Sequence, residues 1–217
     1  NVRILTRSPL ARADFDLFRS FGPRLLFGMS LPTLRNDLAK IYEPKAPAPS
    51  QRLAALRAAR EAGLHVYVAV APTYPECDEA DLRATLRAVA EVEPVTIFHE
   101  PINIRAENVE RIEAYAKALG LFPLSSLNEE RAGVRSRSSI LRTEVFRTRE
   151  QWQDYALNAL QTVERLAAEL GVAERLHLWP DKSLGNLCVA NRMAKPRGQL
   201  RWLRKRWGRV SDWPTEK

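Results

Sequence analysis

GLHVYVAVAPTYPECDEADLR, from Gly63 to Arg83, holds the junction on which the fold of this chain turns. An apolar run with strand-like alternation, His65 to Val70, stops at Ala71-Pro72. An acid-rich segment then opens a helix expected over Glu79 to Val92. In β/α proteins ligands sit at the carboxyl ends of the strands, so functional residues are sought first at this junction and at its repeats along the chain.

The same succession recurs on both sides. Val2 to Leu5 reads as a strand, followed by a helix near Arg12 to Phe21 that Ser8 or Asp14 helps to cap. Leu25 to Met29 reads as a second strand leading into Ser30 and a turn at Pro32. A proline-rich loop, YEPKAPAPSQR, ends at Ser50, which is expected to cap a helix running to Ala62 with Gly63 as its stop. Val95 to Phe98 is a further strand, Asn103 to Asn108 a polar loop and Val109 to Leu119 a helix. Ser125 to Ser139 has few apolar anchors and reads as an insertion or loop. Leu141 to Phe146 resumes regular structure, Glu150 to Leu170 is a helix, and Leu176 to Trp179 is a last strand. About six strand candidates alternating with helices predict parallel pairing. The expected architecture is α/β: a partial (β/α) TIM-type barrel over residues 1–190 that lacks its first units, with a basic, tryptophan-rich helical tail over 191–217. The missing units are expected upstream of Asn1.

Composition narrows the class. In 217 residues with 45% hydrophobic content one core is expected, and no run of about eighteen apolar residues exists. With no signal-peptide pattern at its start, the chain is expected to be cytoplasmic and without a membrane partner. Cys77 and Cys188 are too few and too far apart for a disulfide framework or a sequence-evident metal site, and both are expected to be free thiols. A net charge of +8 and a pI near 9.9 favour a polyanionic partner. Arg201, Arg204 and Arg206 in the tail, with Trp202 and Trp207 beside them, suit either a nucleic-acid grip or an amphipathic helix with its arginines in water.

A resemblance rests on an ordered set of segments: ILTRS, a helix containing RADFDLF, then LLFGMS, then YEPKAPAPSQRLAALRAAREAGLHVYVAVAPTYP. From about Val2 to His99 the chain resembles the radical S-adenosylmethionine superfamily, in its spore photoproduct lyase-like, DNA repair photolyase group. The resemblance implies S-adenosylmethionine and a [4Fe-4S] cluster as cofactors, hydrogen abstraction as the chemistry, and DNA or another nucleic acid as partner. It implies cofactor-binding roles for Arg7, Ser30, Ala71 and Pro72. Arg7 stands where the family has a lysine, Ser30 would lie against the ribose or amino-acid part, and Ala71-Pro72 beside the adenine. The cluster needs three thiolates in a CxxxCxxC loop, and none occurs here, so the chain alone is expected not to assemble the cluster. Its ligands are expected in the upstream part.

Further polar strand ends are His99, Glu100 and Asn103 in FHEPIN, Glu144 in RTEVF, and His177, Asp181 and Lys182 in HLWPDK. Each is a candidate for the substrate side, and Glu100 and Asp181 serve equally as helix or loop caps. Glu43 and Arg52 read as a structural pair bracing the proline-rich loop. Two other classes stay open. One is a barrel hydrolase or lyase using Glu100 with Glu144, or His99, Glu100 and Asp181 around a divalent metal. The other is a non-catalytic nucleic-acid-binding barrel that uses the basic tail. Phosphate-loop, serine-hydrolase and zinc-protease motifs are absent from the sequence.

Overall fold

The computed structural model describes residues 1–103, 110–112, 114–115, 148–179 and 184. The expected strand at 141–146, the insertion at 125–139, the tail from 191, and Glu144, Asp181, Lys182 and Cys188 lie outside the described residues. Strands β1 (Val2–Thr6), β2 (Leu25–Ser30), β3 (His65–Thr73), β4 (Thr96–Pro101) and β5 (Leu176–Leu178) form one parallel sheet in the order β1-β2-β3-β4-β5. Sequential parallel neighbours need crossover connections, and helices supply them. These are α1 (Phe15–Ser20), α2 (Asn36–Tyr42), α3 (Pro49–Glu61), α4 (Glu79–Ala90) and α5 (Arg149–Glu169). The α/β class and the parallel pairing are as expected. Among the described residues the sheet is open, with β1 and β5 at its edges. No helix among them is long and apolar enough to cross a membrane.

Side-chain alternation assigns the two faces. Phe27 and Met29 on β2, Val66, Val68 and Val70 on β3, and Ile97 on β4 are buried in the main core with Leu56 and Ala59 of α3, Leu86 of α4 and Leu157 and Leu160 of α5. On the opposite face, Gly28 of β2 pairs in register with Tyr67 of β3, whose ring meets Phe98 edge-on. The Arg3 guanidinium lies 5.8 Å from the Tyr67 centroid and 5.6 Å from that of Phe98.

The ends of α3 show how local sequence sets the elements. Pro49 is the first helical residue, where its missing N–H costs nothing, and the Gln51 side chain accepts from the Ala48 N–H at 3.1 Å. Ala48, not Ser50, is therefore the capping position: a proline at the first helical position moves the start ahead of the serine. Gly63 takes φ +81°, Leu64 N–H donates to Ala59 O and Gly63 N–H to Arg60 O, closing the helix as expected. The helix expected over Arg12 to Phe21 is instead a 3-10 turn, Pro9–Asp14, running into α1, and Ser8 Oγ accepts from the Leu10 N–H. Helix α2 was not anticipated. It is only seven residues long and lacks a capping side chain, but buries Leu38, Ala39 and Ile41. Arg35 fastens its start by donating to Asp37 and to Asp81 of the α4 first turn.

Gly28 carries a tight constraint, since a Cβ there would fall inside contact distance of the Tyr67 ring carbons. Tyr67 is itself buried and cannot swing away without disturbing Phe98 and Arg3. Gly28→Ala is expected to cost about 1–3 kcal/mol in urea unfolding, with a smaller cost in a Tyr67→Leu background.

Candidate functional site

The carboxyl ends of β1, β2, β3 and β4 share one rim, because all four strands run the same way. A cleft of about 880 Å³ opens there. Thr6, Arg7 and Ser8 line it from β1, the segment Glu43 to Pro47 from the far end of α2, Ala71, Pro72 and Tyr74 from β3, and Glu100, Ile102 and Asn103 from β4. Arg111, Ile112 and Tyr115 complete the lining. Between β3 and β4 the register moves from Val70 opposite His99 to Thr73 opposite Pro101, so three steps on β3 face two on β4. The additional residue is a bulge, and it falls at Ala71-Pro72, whose peptide bond is cis. Bulges bend a strand and re-aim its side chains, and here the bend is at the cleft wall.

The floor is ionic. Glu43, with a side chain only 7% exposed, meets Arg7 Nε at 2.5 Å and Arg52 Nη1 at 2.6 Å. These are ion pairs by distance, with angles short of hydrogen-bond alignment. Arg52 is fully buried, donating from Nε to Pro47 O at 2.8 Å and from Nη1 to Ser30 O at 3.2 Å. One guanidinium thus ties the tip of β2 to both ends of the wall segment Glu43 to Pro47. The bracing role expected for Glu43 and Arg52 is what the geometry shows, and Glu43 also lines the cleft.

Beside this group, the Tyr74 ring stacks on Tyr42 with centroids 3.9 Å apart and planes 7° apart. Tyr42 Oη donates to Glu76 at 2.7 Å, whereas Tyr74 Oη is buried without a partner. Burial first, and the Glu43 carboxylate second, push the Tyr74 pKa up, so this hydroxyl keeps its proton. Neither tyrosine was singled out in the sequence. The signal was there in YEP and TYP, two tyrosines each within two residues of a loop proline. Cys77 is a free, half-buried thiol that burial pushes up to about 11, which leaves it protonated and a poor ligand or nucleophile at neutral pH. Among the described residues no group of three His, Cys, Asp or Glu side chains is placed to hold a metal ion.

The expected site residues divide. Arg7, Ala71, Pro72, Glu100 and Asn103 line the cleft together. Ser30 lies beneath it, buried, with its hydroxyl donating to Ala71 O at 2.8 Å and its carbonyl held by Arg52. It joins neighbouring strand tips and is not part of the lining. His99 is not at the mouth: it shares the core-facing side of β4 with Ile97, and Glu100 turns to the other. Adjacent residues on a strand point oppositely, so His99 and Glu100 cannot converge on one metal. His177 faces the Phe98 ring, with centroids 5.5 Å apart, on β5.

No protein-family model and no solved structure matches the chain. It is similar to an uncharacterized protein, ORF301, of Acidianus two-tailed virus, with 37% identity over 116 residues, covering 51% of this chain and 38% of that protein. It is also similar to an uncharacterized protein, MJ0683, of Methanocaldococcus jannaschii, with 30% identity over 107 residues, covering 48% and 39%. The matches span about two-fifths of the length of these relatives.

His99 gives the region behind the site a pH dependence. Its Nδ1 lies 3.0 Å from Val70 O, which only accepts, so Nδ1 carries the proton and the buried Nε2 is left without a partner. Burial lowers its pKa from 6.5 to about 4. The folded value lies below the unfolded one, so the unfolded chain takes up the proton first as pH falls. Stability present above pH 6.5 is lost between there and about pH 4, by an amount on the order of 3 kcal/mol. Urea titrations across that window are expected to show a shallower fall for His99→Gln than for the wild type.

Proposed function

We propose that this chain forms the S-adenosylmethionine-facing wall of a (β/α) barrel enzyme of the radical S-adenosylmethionine type, acting on a nucleic acid. One observation carries the reading. Three segments that resemble the family in sequence order fall on the tips of three adjacent parallel strands, and those tips meet: Arg7 and Ala71 line one cleft, and Ser30 bonds to Ala71 directly beneath it. Parallel pairing gathers strand tips in any such sheet, and what supports the reading is that all three matches fall at tips and not elsewhere along the chain.

The donor set fits the organic cofactor. Arg7 is half exposed at the cleft and suits a carboxylate, the small Ala71 beside the rigid Pro72 suits the flat face of an adenine, and the unpartnered Tyr74 hydroxyl offers a hydrogen bond. When bound, S-adenosylmethionine supplies a sulfonium with a cleavable carbon–sulfur bond. The residues around it bind and orient it, and the Tyr42–Tyr74 stack keeps water from the floor. The cluster does not fit. Two cysteines in 217 residues cannot supply three thiolates, so in this reading the cluster is held by residues outside this chain, and no step is derived through it. The net charge of +8 supports a polyanionic substrate.

The test is isothermal titration calorimetry of the purified chain with S-adenosylmethionine. Saturable binding with a Kd below about 1 mM is expected, weakened about tenfold or more by Arg7→Ala. Heats no larger than dilution throughout the millimolar range would remove the proposal.

A further inference from the structure

The ion pairs at the cleft floor have an order to them. Arg52 has no exposure and is fixed by two main-chain carbonyls from different elements, Ser30 O and Pro47 O. Glu43 is fixed by Arg52. Arg7, whose side chain is 52% exposed, is reached by Glu43 at Nε, the guanidinium nitrogen nearest its own main chain. That contact is an ion pair by distance, and the terminal edge, Nη1 and Nη2, belongs to a residue that lines the cleft. A guanidinium can be gripped at one edge and still present a flat pair of donors at another, which an ammonium group cannot do.

We propose that Glu43 and Arg52 are positioning residues: through the Arg7 Nε contact they aim the Nη1/Nη2 edge of Arg7 at an oxyanion of the bound ligand. This rests on the reading that Arg7 meets the ligand, and it adds that the affinity of that contact is set by two residues placed behind it. A free arginine side chain loses several rotatable bonds on binding an anion, whereas one already held at Nε loses fewer. The buried anchor matters for the same reason. Glu43 cannot follow Arg7 outward, because its other oxygen is held by a guanidinium that is itself bolted to the main chain.

Charge alone predicts the opposite of this proposal, and that makes it testable. Glu43→Gln removes a negative charge from the cleft floor, so simple attraction would make an anion bind more tightly, whereas loss of positioning makes it bind more weakly. Arg52→Lys keeps the charge and removes the fork that reaches Ser30 O, Pro47 O and Glu43 together. Wild type, Glu43→Gln, Arg52→Lys and Arg7→Lys are titrated calorimetrically with three probes: S-adenosylmethionine, whose oxyanion is a carboxylate, adenosine 5'-monophosphate, whose oxyanion is a phosphate, and adenosine, which has neither.

Each substitution is expected to weaken the oxyanion-bearing probe about fivefold or more while leaving adenosine within about twofold. The probe that responds identifies whether carboxylate or phosphate is taken. Unchanged or tighter binding of that probe by Glu43→Gln overturns the proposal. Nitrogen-detected NMR of the arginine side chains decides the matter even if the wild type binds no probe, an outcome that would count against the proposed function instead. Restricted motion of the Arg7 Nε–H vector in nitrogen relaxation, on a signal identified by its absence in Arg7→Lys, is expected in the wild type and lost in Glu43→Gln. A signal as mobile as a free arginine side chain in the wild type, or unaffected by Glu43→Gln, equally overturns the positioning role. Thermal melts of the same samples separate these effects from simple loss of fold.

Discussion

A guanidinium removed from water calls for acceptors around it, and Arg52 finds them for Nε and Nη1 in groups that are distant in sequence, Ser30 O at the end of β2, Pro47 O in the proline-rich loop and the Glu43 carboxylate, while its Nη2 makes no hydrogen bond among the described residues. Breaking such a pair leaves a charge stranded in the interior, which typically costs about 3–5 kcal/mol, so the arrangement is strongly specified even if its net contribution to stability is small. The loop between α2 and α3 has little regular structure and two prolines, Pro44 and Pro47. Arg52 gives it one position, and that position is the wall of the cleft. The rim therefore depends on a residue that is itself invisible from the rim.

Parallel pairing does the rest. Because β1 to β4 run in one direction with sequential order, their carboxyl ends gather without any long-range search, and each following segment starts from the same edge. The Ser30 hydroxyl on Ala71 O then couples two neighbouring tips just where the bulge departs from regular pairing. A bulge frees ladder groups that need new partners. Thr73 O, immediately beyond it, takes the Ile102 N–H and the Tyr155 hydroxyl of α5, so the irregular backbone is satisfied from both β4 and the helix behind. The cleft wall is consequently irregular and fixed at once.

Much of this was legible in the sequence because its cause is local. The strand start at His65, the glycine stop at Gly63 and the acidic start of α4 each follow from residues within a few positions of one another and are where the pattern puts them, although β3 does not stop at Ala71-Pro72 as expected but runs through the bulge there to Thr73. The failures have a common origin in tertiary context. Helix α2 is too short to hold by propensity and exists because Leu38, Ala39 and Ile41 are buried and Arg35 clasps Asp81 across to α4. His99 and Glu100 were read as neighbours at one mouth, and the strand's two-residue period separates them. Tyr42 and Tyr74 stack beside the ionic floor although they are 32 positions apart in sequence, a pairing no local pattern announces. Ser30 was recognised as belonging to the site, but its backbone and hydroxyl act as struts for it.

Two kinds of electrostatics coexist in this chain, and they act over different ranges. Arginines and lysines crowd the end of the sequence and give the chain its basic character. Between exposed charges more than about 8 Å apart, physiological salt screens most of the interaction, so charge of that kind bears mainly on encounter. The Arg7–Glu43–Arg52 group lies against stacked tyrosine rings with Glu43 and Arg52 out of solvent, where ions scarcely penetrate and a misplaced charge is costly. Surface charge brings a ligand near, and buried charge decides how it is held. The second operation requires fixed geometry, which is why the arginine open to the cleft is backed by a carboxylate and the carboxylate by an arginine bolted to the main chain.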